Sequence, residues 1–148
     1  GLTQLGCREL HVVGRTPEKL EAFARSWEKS TLDVQFETHD WDELPNLMSA
    51  ANLLVNTTPV GMSPQVDRSP VEPELFDKLP PNSIAYDLIY TPNPTQFLKF
   101  AWERGATAIS GLEMLVRQGA IALELWTGQE VPVEVMRQRL QQHLGLDR

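Results

Sequence analysis

Short apolar runs alternate along this chain with longer segments in which apolar residues recur every three to four positions. Apolar runs bounded by turn-forming residues predict buried strands, and the longer spacing predicts amphipathic helices. The predicted strands cover residues 10–13, 34–36, 53–55, 83–88 and 107–109. One predicted helix starts at residue 16, and the others cover residues 44–51, 95–104, 112–127 and 132–144. This alternation predicts an α/β fold on a doubly wound parallel sheet, with helices at the C-terminus.

The segment after the first predicted strand carries the residues that begin a helix. Thr16 is a suitable N-cap, Pro17 fits the first turn, and Glu18 follows at the positive end of the helix dipole. Apolar residues then recur at helical spacing and predict the inner face, which consists of Leu20, Phe23, Ala24 and Trp27.

The composition predicts a soluble globular domain. Of 148 residues, 41% are hydrophobic, and no apolar run approaches the roughly 18 residues that a membrane span needs. The net charge of -7 disfavours nucleic acid or an anionic membrane as a partner. The single cysteine, Cys7, excludes an internal disulfide and suits a reducing compartment, so we expect a cytoplasmic protein.

The first strand-to-helix joint favours NADP as a cofactor. Dinucleotide-binding folds that use NAD usually end their second strand with an acid, which binds the adenosine ribose. This chain has Gly14 there, and Arg15, Thr16 and Lys19 offer donors and positive charge for a 2'-phosphate. A solvated arginine beside an ordinary N-cap explains the same residues equally well. Only 13 residues precede Gly14, so we expect the glycine-rich phosphate loop and the first strand to lie upstream of this sequence.

Polar residues follow the later strands, where ligands bind in parallel sheets. Residues 56–62 read Asn-Thr-Thr-Pro-Val-Gly-Met, which also suits an ordinary turn. Tyr90 follows the strand at 83–88, where a structural tyrosine is the commoner outcome. Gln118 shares a predicted helix face with apolar residues and needs a partner, which could be a substrate hydroxyl, a backbone carbonyl or water.

Together these segments resemble the shikimate dehydrogenase family. They lie in family order over nearly the whole chain and comprise residues 14–16 with Lys19, residues 56–62, residues 86–90 and residues 111–118. Gly14 stands where the family's usual Asn-Arg-Thr turn has asparagine. The resemblance implies a Rossmann-like fold and NADP-dependent oxidation of shikimate to 3-dehydroshikimate, on the pathway to chorismate and aromatic amino acids.

The resemblance also implies roles for single residues. It places Arg15 and Thr16 at the adenosine 2'-phosphate and implies that Gly14, Lys19 and Thr57 also bind the cofactor, with the backbone after Val55 supporting the nicotinamide ribose. Leu88 and Gly111 would lie at the nicotinamide end. Tyr90 and Gln118 would contact shikimate.

The resemblance covers the C-terminal part of the family only. The lysine and aspartate that act on the substrate hydroxyl belong to an N-terminal substrate domain, so no catalytic residue is assigned here and the chain alone is expected to be inactive. Residues 1–110 would form a partial cofactor domain, and residues 111–148 would close on its cleft. The alternatives are a quinate or shikimate dehydrogenase that uses NAD, and a noncatalytic nucleotide-binding module.

We expect no metal site. His11, His39 and His143 are predicted on a strand, in a loop and on the last helix, without the i,i+4 spacing of a helical ligand pair.

Overall fold

The computed structural model describes residues 2–27 and 33–146. In these residues the strands are β1 (Glu9–Gly14), β2 (Gln35–Asp40), β3 (Leu53–Asn56), β4 (Ile84–Asp87) and β5 (Thr107–Ser110). The α-helices are α1 (Pro17–Trp27), α2 (Leu44–Leu47), α3 (Gln96–Glu103), α4 (Leu112–Thr127) and α5 (Val133–Leu144). None of the described helices has both the length and the apolar character needed to cross a bilayer.

All strand pairs in the described residues are parallel. β1 pairs with β2, and β4 lies between β3 and β5 in a second sheet. The predicted α/β alternation is confirmed, and α4 has the predicted bounds. The predicted helix at 44–51 is shorter, because short 3-10 helices flank α2 at Trp41–Glu43 and Met48–Ala50.

The second strand is longer than its apolar residues indicated. β2 continues to Asp40, whose partner across the sheet is Gly14. The prediction of His39 in a loop was therefore wrong. Polar residues occupy the end of β2, and backbone pairing with β1 rather than hydrophobic patterning extends it.

The chain forms two compact units, Gly1–Ala50 and Ala51–Arg148. In the first unit, the predicted inner face of α1 packs on β2. The Phe36 ring stacks on Trp27 at a centroid distance of 4.6 Å and contacts Phe23 at 5.6 Å. The predicted functional division at residue 110 concerns where ligands bind, and it stays a prediction.

The second unit has an aromatic and aliphatic core. Phe76 and Phe97 meet edge to face with centroids 5.5 Å apart, and both side chains are fully buried. Thr95 caps α3, since its hydroxyl accepts a hydrogen bond from the Leu98 N–H. This core supports the carboxyl ends of β3 and β4, where the predicted ligand residues begin.

Candidate functional site

The carboxyl end of β1 opens into a shallow concavity of about 230 Å³. Its lining includes Gly14, Arg15, Thr16 and Lys19, of which the last three are exposed. The Thr16 carbonyl accepts hydrogen bonds from the N–H groups of Lys19 and Leu20 at 3.1 Å each, which begins α1. The predicted 2'-phosphate residues therefore share one surface, with two cations beside the positive end of a helix dipole.

Gly14 has a local packing reason to be glycine. A Cβ atom there would lie 2.9 Å from Cδ2 of Leu20, on the first turn of α1. A larger residue at this position would have to displace that methyl group. The contact gives a structural reason for glycine at a position where the resembled family has asparagine. Arg15 and Thr16 still line the concavity.

The carboxyl end of β3 is held by a buried amide. Asn56 Oδ1 accepts hydrogen bonds from the backbone N–H and the hydroxyl of Thr58, at 2.9 and 2.8 Å. Thr57 between them is exposed. The turn predicted for this segment is thus present, and it leaves Thr57 accessible beside the strand end.

Asp87 is a positioning residue that the sequence interpretation did not single out. Its buried carboxylate accepts hydrogen bonds from the Asn56 amide at 3.0 Å, the Ile89 N–H at 3.0 Å and the Thr95 hydroxyl at 2.6 Å. Burial raises the pKa of the Asp87 carboxyl, because desolvation outweighs these three hydrogen bonds. The carboxylate ties the ends of β3 and β4 to the start of α3. The sequence contained a signal for this role, namely an acid at the end of a strand followed by a threonine that can cap the next helix.

The two residues predicted at the nicotinamide end lie in direct contact. Gly111 donates a backbone hydrogen bond to the Ile89 carbonyl at 3.2 Å. A Cβ atom on Gly111 would lie 2.1 Å from the backbone oxygen of Leu88. Only a residue without a side chain allows the start of α4 to approach the Leu88 backbone so closely.

Tyr90 and Gln118, the predicted substrate residues, are both exposed. Gln118 Nε2 donates to the Leu115 carbonyl within α4 at 2.9 Å. The apolar residues that share its face of α4 are not all buried, since Leu125 is 79% exposed. Of the partners left open for Gln118, the structure contains the backbone carbonyl.

The predicted residues fall into two sets. The phosphate set, residues 14–19, belongs to the first compact unit, and Thr57, Leu88, Tyr90, Gly111 and Gln118 belong to the second. The first set combines two cations with the start of α1, and in the second set Gly111 lies against the Leu88 backbone beside the strand ends.

Comparison with known proteins identifies relatives that belong to the family the sequence resembles. A profile of the shikimate 5'-dehydrogenase C-terminal domain matches residues 111–141. An NADP(+)-type shikimate dehydrogenase of Microcystis aeruginosa is 61% identical over 93% of this chain, which is 48% of that protein. The shikimate 5-dehydrogenase of Listeria monocytogenes, solved with shikimate and NAD, superposes with a TM-score of 0.77 at 29% identity, over 90% of this chain and 47% of that one.

A solved relative of another activity has the same fold. The 5-ketofructose reductase of a Gluconobacter strain superposes with a TM-score of 0.78 at 31% identity, over 95% of this chain and 50% of that one. The Rossmann-like fold is therefore confirmed, as is the resemblance to the C-terminal part of the family named by the profile. The chain spans about half the length of the curated relatives it matches.

Proposed function

From the premise that this chain corresponds to the C-terminal half of the shikimate dehydrogenase family, we propose that it is the cofactor half of an NADP-dependent shikimate dehydrogenase. The proposed reaction is the reversible oxidation of shikimate to 3-dehydroshikimate, in the pathway to chorismate and aromatic amino acids. The observation that carries the proposal is the concavity at the end of β1, where Arg15, Thr16 and Lys19 are exposed together.

The cofactor preference follows from the charges at this concavity. An acid at position 14 would repel a 2'-phosphate, and the glycine found there does not. The planar Arg15 guanidinium can donate two hydrogen bonds to phosphate oxygens, and Lys19 adds a second charge one helical turn later. The residues therefore suit NADP, which carries the phosphate, better than NAD.

The sheet topology supports a dinucleotide-binding domain without its first strand. In such sheets the strand order is 3-2-1-4-5-6, so strands 2 and 4 are both neighbours of strand 1. Without strand 1, two separate hydrogen-bonded sets are expected, one of two strands and one of three. The described residues form such sets, β1–β2 and β3–β4–β5.

The second unit suits the nicotinamide end and the substrate. Gly111 brings the start of α4 against the Leu88 backbone at the end of β4, and Thr57 is an exposed hydroxyl beside the end of β3. Tyr90 and Gln118 offer a phenol and a carboxamide, which can donate hydrogen bonds to and accept them from ring hydroxyls.

When bound, the nicotinamide supplies the hydride acceptor. The residues of this chain bind and orient the cofactor and the substrate. The proton of the substrate hydroxyl is expected to be accepted by a lysine of an N-terminal substrate domain. Positioning of this kind can supply several kcal/mol of the barrier reduction.

Arg15→Ala tests the cofactor assignment. The variant is made in a fusion of this chain to the N-terminal half of the Microcystis aeruginosa relative, which provides a substrate domain. We expect kcat/KM for NADP to fall roughly 10- to 100-fold while that for NAD changes little, because only NADP has the phosphate.

Arg8→Ala is the matched control, since it removes the same charge just before β1, at the opposite end of the strand. It should leave both cofactors unaffected. Equal losses for NADP and NAD in Arg15→Ala would contradict the 2'-phosphate assignment.

The alternative cofactor is NAD, favoured by the Listeria relative solved with that cofactor and shikimate. A fusion that prefers NAD, and whose Arg15→Ala variant keeps that activity, would support this alternative. Turnover of quinate in place of shikimate would change the substrate assignment and leave the fold argument intact.

A further inference from the structure

Three side chains with metal-binding atoms meet on the β1–β2 sheet: His11 on β1, and Glu37 and His39 on β2. His11 is the register partner of Glu37, and His39 follows two residues later on the same face of β2. Side chains alternate between the two faces of a strand, so Phe36, next to Glu37 on β2, points to the other face, where it packs under α1. The cluster therefore lies on the sheet face opposite to α1.

The three ligand atoms form a triangle with one short side and two longer ones. His11 Nδ1 lies 2.9 Å from His39 Nε2, Glu37 Oε2 lies 3.6 Å from His39 Nε2, and Glu37 Oε2 lies 3.8 Å from His11 Nδ1. Four ligands at about 2.0–2.1 Å around a tetrahedral cation are separated from one another by about 3.3 Å. A cation can therefore be accommodated between the three atoms with small side-chain movements.

The remaining nitrogen of each histidine faces a further carboxylate. His39 Nδ1 lies 3.1 Å from Glu43 Oε2, and His11 Nε2 lies 3.8 Å from Glu9 Oε2. A carboxylate at hydrogen-bond distance, as Glu43 is, orients a metal-bound imidazole and increases its basicity. Glu9, Glu37 and Glu43 together also make the surroundings of the cluster acidic, which favours a cation.

The cluster is accessible from solvent. The His39 side chain is 12% exposed, that of His11 is 32% exposed and that of Glu37 is 45% exposed. Partial burial fixes the rings, while the exposed carboxylate leaves an entry path and a fourth position for water.

Contrary to the sequence expectation, which considered only helical i,i+4 spacing, we propose that His11 Nδ1, His39 Nε2 and the Glu37 carboxylate bind a divalent transition-metal cation of the zinc type. Two imidazoles and one carboxylate suit zinc, copper or nickel rather than magnesium or calcium, which prefer oxygen ligands. The bound cation would join the two strands of the first unit and stabilise it. The site does not depend on the dehydrogenase assignment.

The test is titration of the untagged chain with ZnCl2, followed by isothermal calorimetry and by NMR of the histidine rings. We expect one ion per chain, shifted ring signals for His11 and His39, and unshifted signals for His143. Removing one nitrogen ligand, as in His39→Gln or His11→Gln, should weaken binding by roughly 10-fold or more. Zinc should also raise the melting temperature of the native chain.

Matched controls separate this site from other zinc ligands. His143→Gln, on α5, and Cys7→Ser should leave the affinity unchanged. The NMR readout uses the native chain and therefore does not depend on whether a variant folds. Absence of binding, shifts confined to His143, or full affinity in both His11→Gln and His39→Gln would overturn the proposal and leave a hydrogen-bonded histidine pair.

Discussion

Gly111 is a residue whose missing side chain has a direct structural reason. Its ordinary φ of -69° suits any amino acid, so backbone freedom does not require glycine here. The requirement comes from the Leu88 backbone, whose oxygen and carbon would lie 2.1 and 2.5 Å from a Cβ atom. A backbone atom cannot rotate away as the Leu20 methyl group beside Gly14 can.

Gly111→Ala should therefore destabilise the chain. The added methyl group forces the start of α4 away from the end of β4, and overpacking of this kind costs about 1–3 kcal/mol. Urea unfolding followed by circular dichroism measures the loss.

Gly119→Ala, within α4, is the matched control. Among the described residues, its Cβ atom would meet only Met136 Cε, at an ordinary 3.5 Å. Alanine in a helix interior should be neutral or stabilising. Equal destabilisation by both substitutions would show that close backbone approach does not explain Gly111.

Between elements, one carboxylate links α4 to α5. Glu113 accepts two hydrogen bonds from Arg137 at 2.8 Å each and a third from Arg117 at 2.6 Å. These hydrogen bonds lower the pKa of Glu113 from 4.5 to about 2, and those from Arg137 have the largest effect. Because the folded-state pKa is lower than the unfolded value, the stabilisation is complete above pH 4.5 and is lost as the pH falls toward 2.

Glu113→Gln should lower the melting temperature at pH 7 by no more than a few degrees, since the carboxylate is 45% exposed and screened by water. The difference from the native chain should shrink between pH 4.5 and pH 2. Thermal unfolding at several pH values measures it. Glu124→Gln, elsewhere on α4, is the control and should show no such trend. A difference that does not change with pH would contradict the assigned ion pairs.

For the whole molecule, the main fact is that the chain spans about half of its curated relatives. It carries the surfaces proposed for the cofactor and for one side of the substrate, and no residue assigned to proton transfer. Its two compact units each hold one set of the proposed ligand residues.

The chain alone should show little or no oxidation of shikimate with NADP. Fusion to the N-terminal half of the Microcystis aeruginosa relative should restore turnover, because that half is expected to supply the proton acceptor. NADPH formation at 340 nm measures the rate. The control substrate is the alcohol that forms when 5-ketofructose is reduced, and its oxidation by the fusion should be slow. A folded fusion without shikimate turnover would count against the proposed function.

Much of the fold and part of the site could be predicted from the sequence. The strand and helix order, the start of α1 at Pro17 and the bounds of α4 agree with the structure. The extent of β2, the short α2 and the exposure of Gln118 did not follow from patterning. Apolar periodicity reports which face an element can bury, and it does not report how far backbone pairing continues or what covers the face.

What the sequence determined by itself depends on residues close together in the chain: the caps, the alternation of elements, and the motifs at residues 14–19, 56–62, 86–90 and 111–118. What only the tertiary structure decided is which distant residues meet. His11 faces Glu37 and His39 through the register of β1 and β2, and Gly111 lies against Leu88. Register and close approach arise from hydrogen bonds and packing between separate segments, so no local pattern in the chain contains them.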